Sequence, residues 1–252
     1  MGVGAPGFID EKTGEIATAV NLGWENYPLG EILQQLSGLP VYIQNDANIA
    51  ALGENWLGSG QQADHLIAIT LGTGVGAGII ANGQIISGVN GTAGEIGHIT
   101  VEKNGIPCNC GRHGCLETIT SATGISRIAE EKIKHHQDSL LVTIFEKNNK
   151  LTSKDVFDAY EKGDECATEV VNEITDVLGL AISNIAAVLN PSKIVIGGGV
   201  SKAGDLLLKP LKKAYQKYAL PRTYQGSSFA IAKLGNDAGI IGGAYLVKQN
   251  QA

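Results

Sequence analysis

Residues 66–88 read LIAITLGTGVGAGIIANGQIISG, a run that is almost wholly apolar yet carries glycine at 72, 74, 76, 78, 83 and 88. Glycine in a helix interior gives up backbone entropy and packs nothing in return, so a run punctuated this often cannot hold one helix. The same glycines, with Asn82, break it short of the length that crosses a bilayer. Strand, turn and strand remain: HLIAITLG as a buried strand, then VGAGIIANGQIISG as a hairpin turning at Asn82-Gly83. A sheet is therefore fixed, and other segments must cover it.

The rest of the chain alternates short strand-like runs with longer helical ones, the mark of an α/β architecture. LPVYIQND (39–46) reads as a strand ending in polar residues, followed by the helical ANIAALGENWLG. Near 118–125 the glycine-rich β region gives way to charged, helical sequence. This continues to Leu189, where Asn190-Pro191 stops a run whose apolar residues are spaced by three and four. KIVIGGGVS is a strand entering a glycine turn, and LLLKPLKKAYQKYA a helix kinked or started by Pro210. SFAIAKLG is a last short strand and DAGIIGGAYLVKQ a closing helix. Two units are expected: an N-terminal α/β lobe over 1–120 and a C-terminal α/β lobe over 121–252, with the last helix able to pack back on the first.

Composition narrows the class. At 252 residues the chain has ample core, and 43% hydrophobic with 17% charged residues is a folded, water-soluble mixture. A formal net charge of -6 argues against a general nucleic-acid binder. No apolar run reaches membrane-spanning length, and the opening MGVGAPGFIDEK lacks the basic and apolar regions of a secretory signal. A cytoplasmic protein free of the membrane is expected, and in that compartment structural disulfides are rare.

Three of the four cysteines stand together, in HITVEKNGIPCNCGRHGCLE (98–117). Cys108, Cys110 and Cys115 with His98 upstream make a closed tetrahedral set, the composition of a structural zinc site. A redox pair would prefer Cys-x-x-Cys, and a disulfide would leave one thiol over. His113 lies between ligand cysteines with little reach, and Cys166 belongs to a helical, packing position. Glu95 and Glu117 flank the cluster, so a metal that fixes the loop also fixes two carboxylates. With Asn45 and Asp46 they would form a cage of acceptors for a polyhydroxylated ligand. At the end of its strand, Asp46 reads either as a helix cap or as a base for a substrate hydroxyl. Two glycine turns, LGTGVGAG (71–78) and GGGVS (197–201), read either as plain structural turns or as places where backbone N–H groups approach phosphates.

LGTGVGAGIIANGQIISGVNGTAGEIGH and CNCGRHGCLETITSATG resemble the signature and zinc-loop motifs of the ROK (repressor, open reading frame, kinase) family of sugar kinases. GVGAPGFID, VYIQNDANIAALGE, IVIGGGVS and DAGIIGGA fall in the same order, and LETITSATG and NLGWENYPL look most like the glucokinase branch. The resemblance implies an actin-like, hexokinase-type (ribonuclease H-like) fold of two lobes, with sugar and ATP in the cleft between them. By motif position Asp46 would be the general base for the sugar 6-hydroxyl, with Asn45, Glu95, His98 and Glu117 on the other hydroxyls and Gly7 and Asn21 also touching the sugar. His98 would serve both zinc and sugar. Gly72, Thr73, Gly74 and Gly76 would line the phosphates, and Gly197, Gly198 and Gly199 the adenosine. Magnesium would arrive with ATP, and the family is commonly homodimeric. Members of the family begin with a strand and an Asp-x-Gly-Gly-Thr phosphate turn ahead of the region where this sequence starts. An incomplete N-terminal lobe and impaired glucose phosphorylation are therefore expected of these 252 residues. Kinases for N-acetylmannosamine, N-acetylglucosamine or fructose, and sugar-sensing regulators, share the motifs and stand as alternatives.

Overall fold

The structure, a computed structural model, describes residues 1–19 and 22–251; Asn21, one of the expected sugar contacts, lies outside the described residues. Strand β1 (Gly2–Ala5) pairs in parallel with β5 (Tyr42–Asn45). Between them, β2 (Phe8–Asp10), β3 (Glu15–Ala19) and β4 (Trp24–Tyr27) form an antiparallel sheet, and α1 (Leu29–Ser37) leads to β5. The apolar pattern does not announce β2 to β4, since they are three to five residues long and carry Asp10, Glu15 and Glu25. Ile9, Ile16 and Ile43 close the core beneath them.

Helix α2 (Asp46–Trp56) then precedes β6 (Leu66–Leu71), β7 (Val75–Ala81) and β8 (Gln84–Ile85). The β7–β8 turn is the expected one, with Asn82 and Gly83 at φ of 52° and 74°. After the cysteine loop come α3 (Glu117–Thr120), α4 (Ala122–Lys132), α5 (Leu140–Asn148), α6 (Ser153–Glu161) and α7 (Glu165–Leu189). The chain closes with β9 (Lys193–Gly197), α8 (Asp205–Tyr218), α9 (Pro221–Gly226), β10 (Ser228–Ile231) and α10 (Ala238–Gln251). Pro210 sits in the second turn of α8, inside the helix and not at its start.

One five-stranded sheet, in the order β10-β9-β6-β7-β8, organises the larger part of the molecule. Strands from both sides of residue 120 enter it, because β6 runs parallel to β9 with Ile67 opposite Ile194. The change of composition near residue 120 thus marks a change of element type along the chain, while the hydrogen bonding unites both sides. Alternate residues of β6 serve opposite faces. Ile67, Ile69 and Leu71 join the core formed with Val170, Ile174, Leu178 and Tyr215 of α7 and α8. Leu66 and Ala68 meet Ala51 and Leu52 of α2 and Leu246 of α10.

By length and composition α7, at 25 residues, could cross a membrane, contrary to the expectation that no run would reach that length; 61% of its apolar window is buried within the protein. Its start is set by Asp164, which accepts from the Ala167 N–H at 2.9 Å, and its end by Asn190 at φ 46°.

Helix α10 returns to the beginning of the chain and packs on α2 and β1. The crossing is close: a Cβ on Gly242 would lie 1.7 Å from the Ile49 carbonyl oxygen. Buried Glu54 of α2 adds a polar tie, accepting from the Ser59 N–H at 2.9 Å and the Leu234 N–H at 2.7 Å. We predict that Gly242→Ala destabilises the fold by about 2 kcal/mol, lowering the melting temperature by roughly 5 °C. An unchanged melting curve would show that the two helices do not depend on this contact.

Candidate active site and metal centre

The junction of β5 and α2 separates two roles that the sequence leaves merged. Asn45 is the helix cap: its Oδ1 accepts from the Ala47 N–H at 2.9 Å and the Asn48 N–H at 3.3 Å, and its Nδ2 donates to the Gly7 carbonyl at 3.1 Å. Asp46, the first residue of the helix, is left exposed. One of its oxygens takes the Ala47 N–H at 2.8 Å, and the carboxylate lines an open cleft.

That cleft has a volume of about 580 Å³. Gly7, Asn45, Asp46, Glu95, His98 and Glu117 all line it, so the structure brings together six of the seven expected sugar contacts; Asn21 is the seventh. Gly72, Gly74 and Gly76, from the β6–β7 turn, line it too, as does Gly198. Thr73 is exposed at the tip of that turn, outside the lining, with its carbonyl accepting from Thr123 Oγ at 3.1 Å. Gly197 and Gly199 join Gly198 around a neighbouring cavity of about 520 Å³, which shares Ala50, Thr70 and Gly198 with the cleft. Lys202 and Lys233 also line this second cavity. Sequence reasoning missed both lysines and Thr70; only Thr70, a lone polar residue ending an apolar strand, left a signal.

The cysteine loop is pinned by backbone before any metal is considered. Thr100 bridges to Cys115 and Pro107 to His113, the Cys108 N–H donates to the Arg112 carbonyl at 2.8 Å, and Gly111 and Gly114 take φ of 85° and 68°. This folding brings one donor atom each from His98, Cys108, Cys110 and Cys115 within 4.8 Å of one another. Cys110 and Cys115 Sγ are 3.6 Å apart, and Cys108 Sγ is 3.7 Å from His98 Nδ1. Tetrahedral zinc with bonds of about 2.3 Å to sulfur has ligand–ligand edges of about 3.8 Å, so the donor set fits zinc. The thiols differ strongly. Burial opposes ionisation of Cys110, yet hydrogen bonds from the Arg112 backbone and guanidinium and from the neighbouring thiols bring it down to about 6. Burial, with the hydrogen bonds and charges of Cys110 and Cys108, pushes Cys115 up to about 12. His113 and Cys166 lie outside the cluster.

His98 links metal loop and cleft. Its Nδ1 faces the thiols, while its Nε2 stands 3.9 Å from Glu95 Oε2. Burial raises the Glu95 carboxyl; His98 lowers it, and the charges of Asp46 and Glu117 raise it further, so all four groups share one field. Glu117 opens α3 and accepts from the Val75 N–H at 2.9 Å, tying the end of the metal loop to the glycine hairpin. Gly74 is glycine for this reason: its Cβ would lie 2.4 Å from Glu117 Oε2.

The cleft at the ends of the strands carries an aspartate beside its asparagine cap, two further carboxylates and the Cys₃His loop. The chain belongs to the ROK family, which residues 1–250 match, and it has the actin-like, hexokinase-type fold of that family's sugar kinases. It is similar to the glucokinase of Halalkalibacterium halodurans, 58% identical over 252 residues that span all of this chain and 76% of that one. It is also similar to the solved ROK family glucokinase from Streptomyces griseus in complex with glucose and AMPPNP, at 34% identity and a TM-score of 0.84, covering 98% of this chain and 81% of that one. A solved ROK family transcriptional regulator, a homolog of the Escherichia coli MLC protein, matches at 31% identity and a TM-score of 0.87, over 97% of this chain and 60% of the regulator.

Protein purified without added metal and washed in chelator-treated buffer is predicted to carry about one zinc per chain by elemental analysis. A folded, zinc-free preparation would refute the assignment.

Proposed function

We propose that this chain is an ATP-dependent glucokinase, transferring the γ-phosphoryl group of ATP to the 6-hydroxyl of glucose. One observation carries the reading: Asp46, relieved of capping by Asn45, faces a cleft shared with Asn45, Glu95, His98, Glu117 and the glycine hairpin. The identity of 58% to a glucokinase supports glucose as the acceptor.

Glucose lies with its ring hydroxyls on Asn45, Glu95, His98 and Glu117, and with its 6-hydroxyl at Asp46. Asp46 accepts the hydroxyl proton as the oxygen bonds to the γ-phosphorus, and ADP departs with the bridging oxygen. Gly72, Gly74 and Gly76, which line the cleft, border the phosphates, and Gly197–Gly199 bound the adenosine side. Magnesium arriving with ATP would neutralise the β- and γ-oxygens. Zinc held by His98, Cys108, Cys110 and Cys115 would fix the loop that carries His98 and Glu117, outside the transfer itself. The enzyme acts as a homodimer in the cytoplasm, with no nucleic acid and no membrane as partner.

The match to a regulator favours a second reading, a sugar-sensing unit that binds without transfer. Asp46→Ala separates the two. Under the kinase reading it lowers kcat by about 10²- to 10⁴-fold while the glucose Kd, measured by calorimetry, stays within about threefold. Near-normal kcat in the variant would remove Asp46 as base. A panel of glucose, N-acetylmannosamine, N-acetylglucosamine and fructose in a coupled ADP assay ranks the acceptors.

A further inference from the structure

Beneath the β5–α2 junction runs a chain of polar side chains that the proposed transfer does not use. Gln44, buried at 3% exposure, sits at its centre. Its amide oxygen accepts from the Asn45 backbone N–H at 2.8 Å and from Asn48 Nδ2 at 3.1 Å. Its amide nitrogen donates to the carboxylate of Glu11 and, at 3.4 Å, to Ser87 Oγ. Ser87 Oγ donates to the same Glu11 oxygen. Glu11 belongs to the exposed turn between β2 and β3, yet its carboxylate points inward, unlike a solvated loop charge.

Direction is the important property of this chain. A carboxylate only accepts, so Glu11 requires the nitrogen end of the Gln44 amide. A backbone N–H only donates, so Asn45 requires the oxygen end. Both demands select one orientation of Gln44, and that orientation in turn requires Asn48 to present its nitrogen. Asn48 Oδ1 is consequently buried with no partner among the described residues. An amide held against an unmet acceptor is held by its neighbours, and the fixed point of those neighbours is the Glu11 charge.

The same carboxylate reaches the opposite wall of the cleft. The Ser87 carbonyl accepts from the Ala93 N–H at 3.1 Å, closing the loop that delivers Glu95. Gly91 of that loop lies on the hairpin that carries Glu11, where a Cβ would stand 2.5 Å from the Ile9 carbonyl.

We propose that Glu11 is a positioning residue for sugar binding: through Gln44 and Ser87 it holds Asn45 and Glu95 in register across the cleft. The inference deepens the proposed function and rests on the same sugar site. It concerns the acceptor and leaves the nucleotide side alone.

A charge swap tests it. Gln44→Glu sets two carboxylates against each other and should raise the sugar Kd, and the KM with it, by about tenfold or more, with the ATP KM within about twofold. Glu11→Gln added to Gln44→Glu restores one donor facing one acceptor and leaves an oxygen for Asn45, so it should bring the sugar Kd back to within about threefold of the original. Glu11→Ala alone should raise the sugar Kd about tenfold at an unchanged circular dichroism spectrum. Sugar affinity unmoved by Glu11→Ala, or a double variant no better than Gln44→Glu, overturns the role. Binding is measured by calorimetry with whichever sugar of the panel the unaltered chain takes up. Uptake of another sugar in place of glucose rejects the glucokinase reading and leaves this test intact, while binding of none rejects both.

Discussion

Strand β6 is hydrogen-bonded along both edges, to β7 and to β9, and buried on both faces, and the glycine turns that line one wall of the cleft are placed by it. A strand with no solvent on either side must be apolar throughout, which is why Leu66–Leu71 admits a single polar residue, Thr70, near its end. Because β6 and β9 run parallel, their carboxyl ends emerge at the same edge of the sheet, with Thr70 opposite Gly197. Ligands of open α/β sheets lie at that edge, and here two glycine turns meet there. Gly198 passes so near the end of β6 that a Cβ would stand 2.5 Å from the Leu71 carbonyl. Register in the sheet therefore sets the glycine-lined wall of the cleft, before any side chain is considered.

The opposite wall of the cleft depends on the cysteine loop in a comparable way. Its far end, Glu117, grips the Val75 N–H at the start of β7, and its near end, His98, presents one ring nitrogen to the thiols and the other to Glu95. The Cys₃His cluster thus closes a loop whose two ends both project into the cleft. Several carboxylates stand close there because each meets a donor or a positive partner: Glu117 the Val75 N–H, Asp46 the Ala47 N–H, and Glu95 the His98 ring. The residual strain shows in Glu95, raised by burial and by its two acidic neighbours.

Local features of this arrangement were legible in the sequence, and long-range ones were not. The Asn82-Gly83 turn, the stop at Asn190-Pro191 and the Cys₃His set are read within a few residues, and the structure has all three. The pairing of β6 with β9 spans more than a hundred residues and leaves no mark on either segment beyond apolarity, so strand membership across residue 120 was invisible. The antiparallel sheet of β2 to β4 was hidden for another reason: its strands are too short to show a period. Glu11, Gln44 and Ser87 likewise meet across separations of 33 and 76 residues, and each alone looks like an ordinary polar residue. Asp46 illustrates the remaining gap. Its position at a strand end suggested both a cap and a base, and the structure gives the cap to its neighbour Asn45.

That decision bears on how one fold can serve both kinases and regulators. Groups that hold sugar hydroxyls are useful to either, and so is a metal that steadies them. On the proposed reading, a carboxylate turned to the cleft with the glycine hairpin across from it serves to take the proton of a hydroxyl. Placing the cap one residue earlier, on a neutral asparagine whose amide nitrogen is committed to Gly7, satisfies the helix terminus and leaves the Asp46 carboxylate with a single helix N–H, that of Ala47, among the described residues. The pairing of a neutral cap with an acid at the cleft in the dipeptide Asn45-Asp46 is thus the smallest unit of this chain on which the proposed transfer rests.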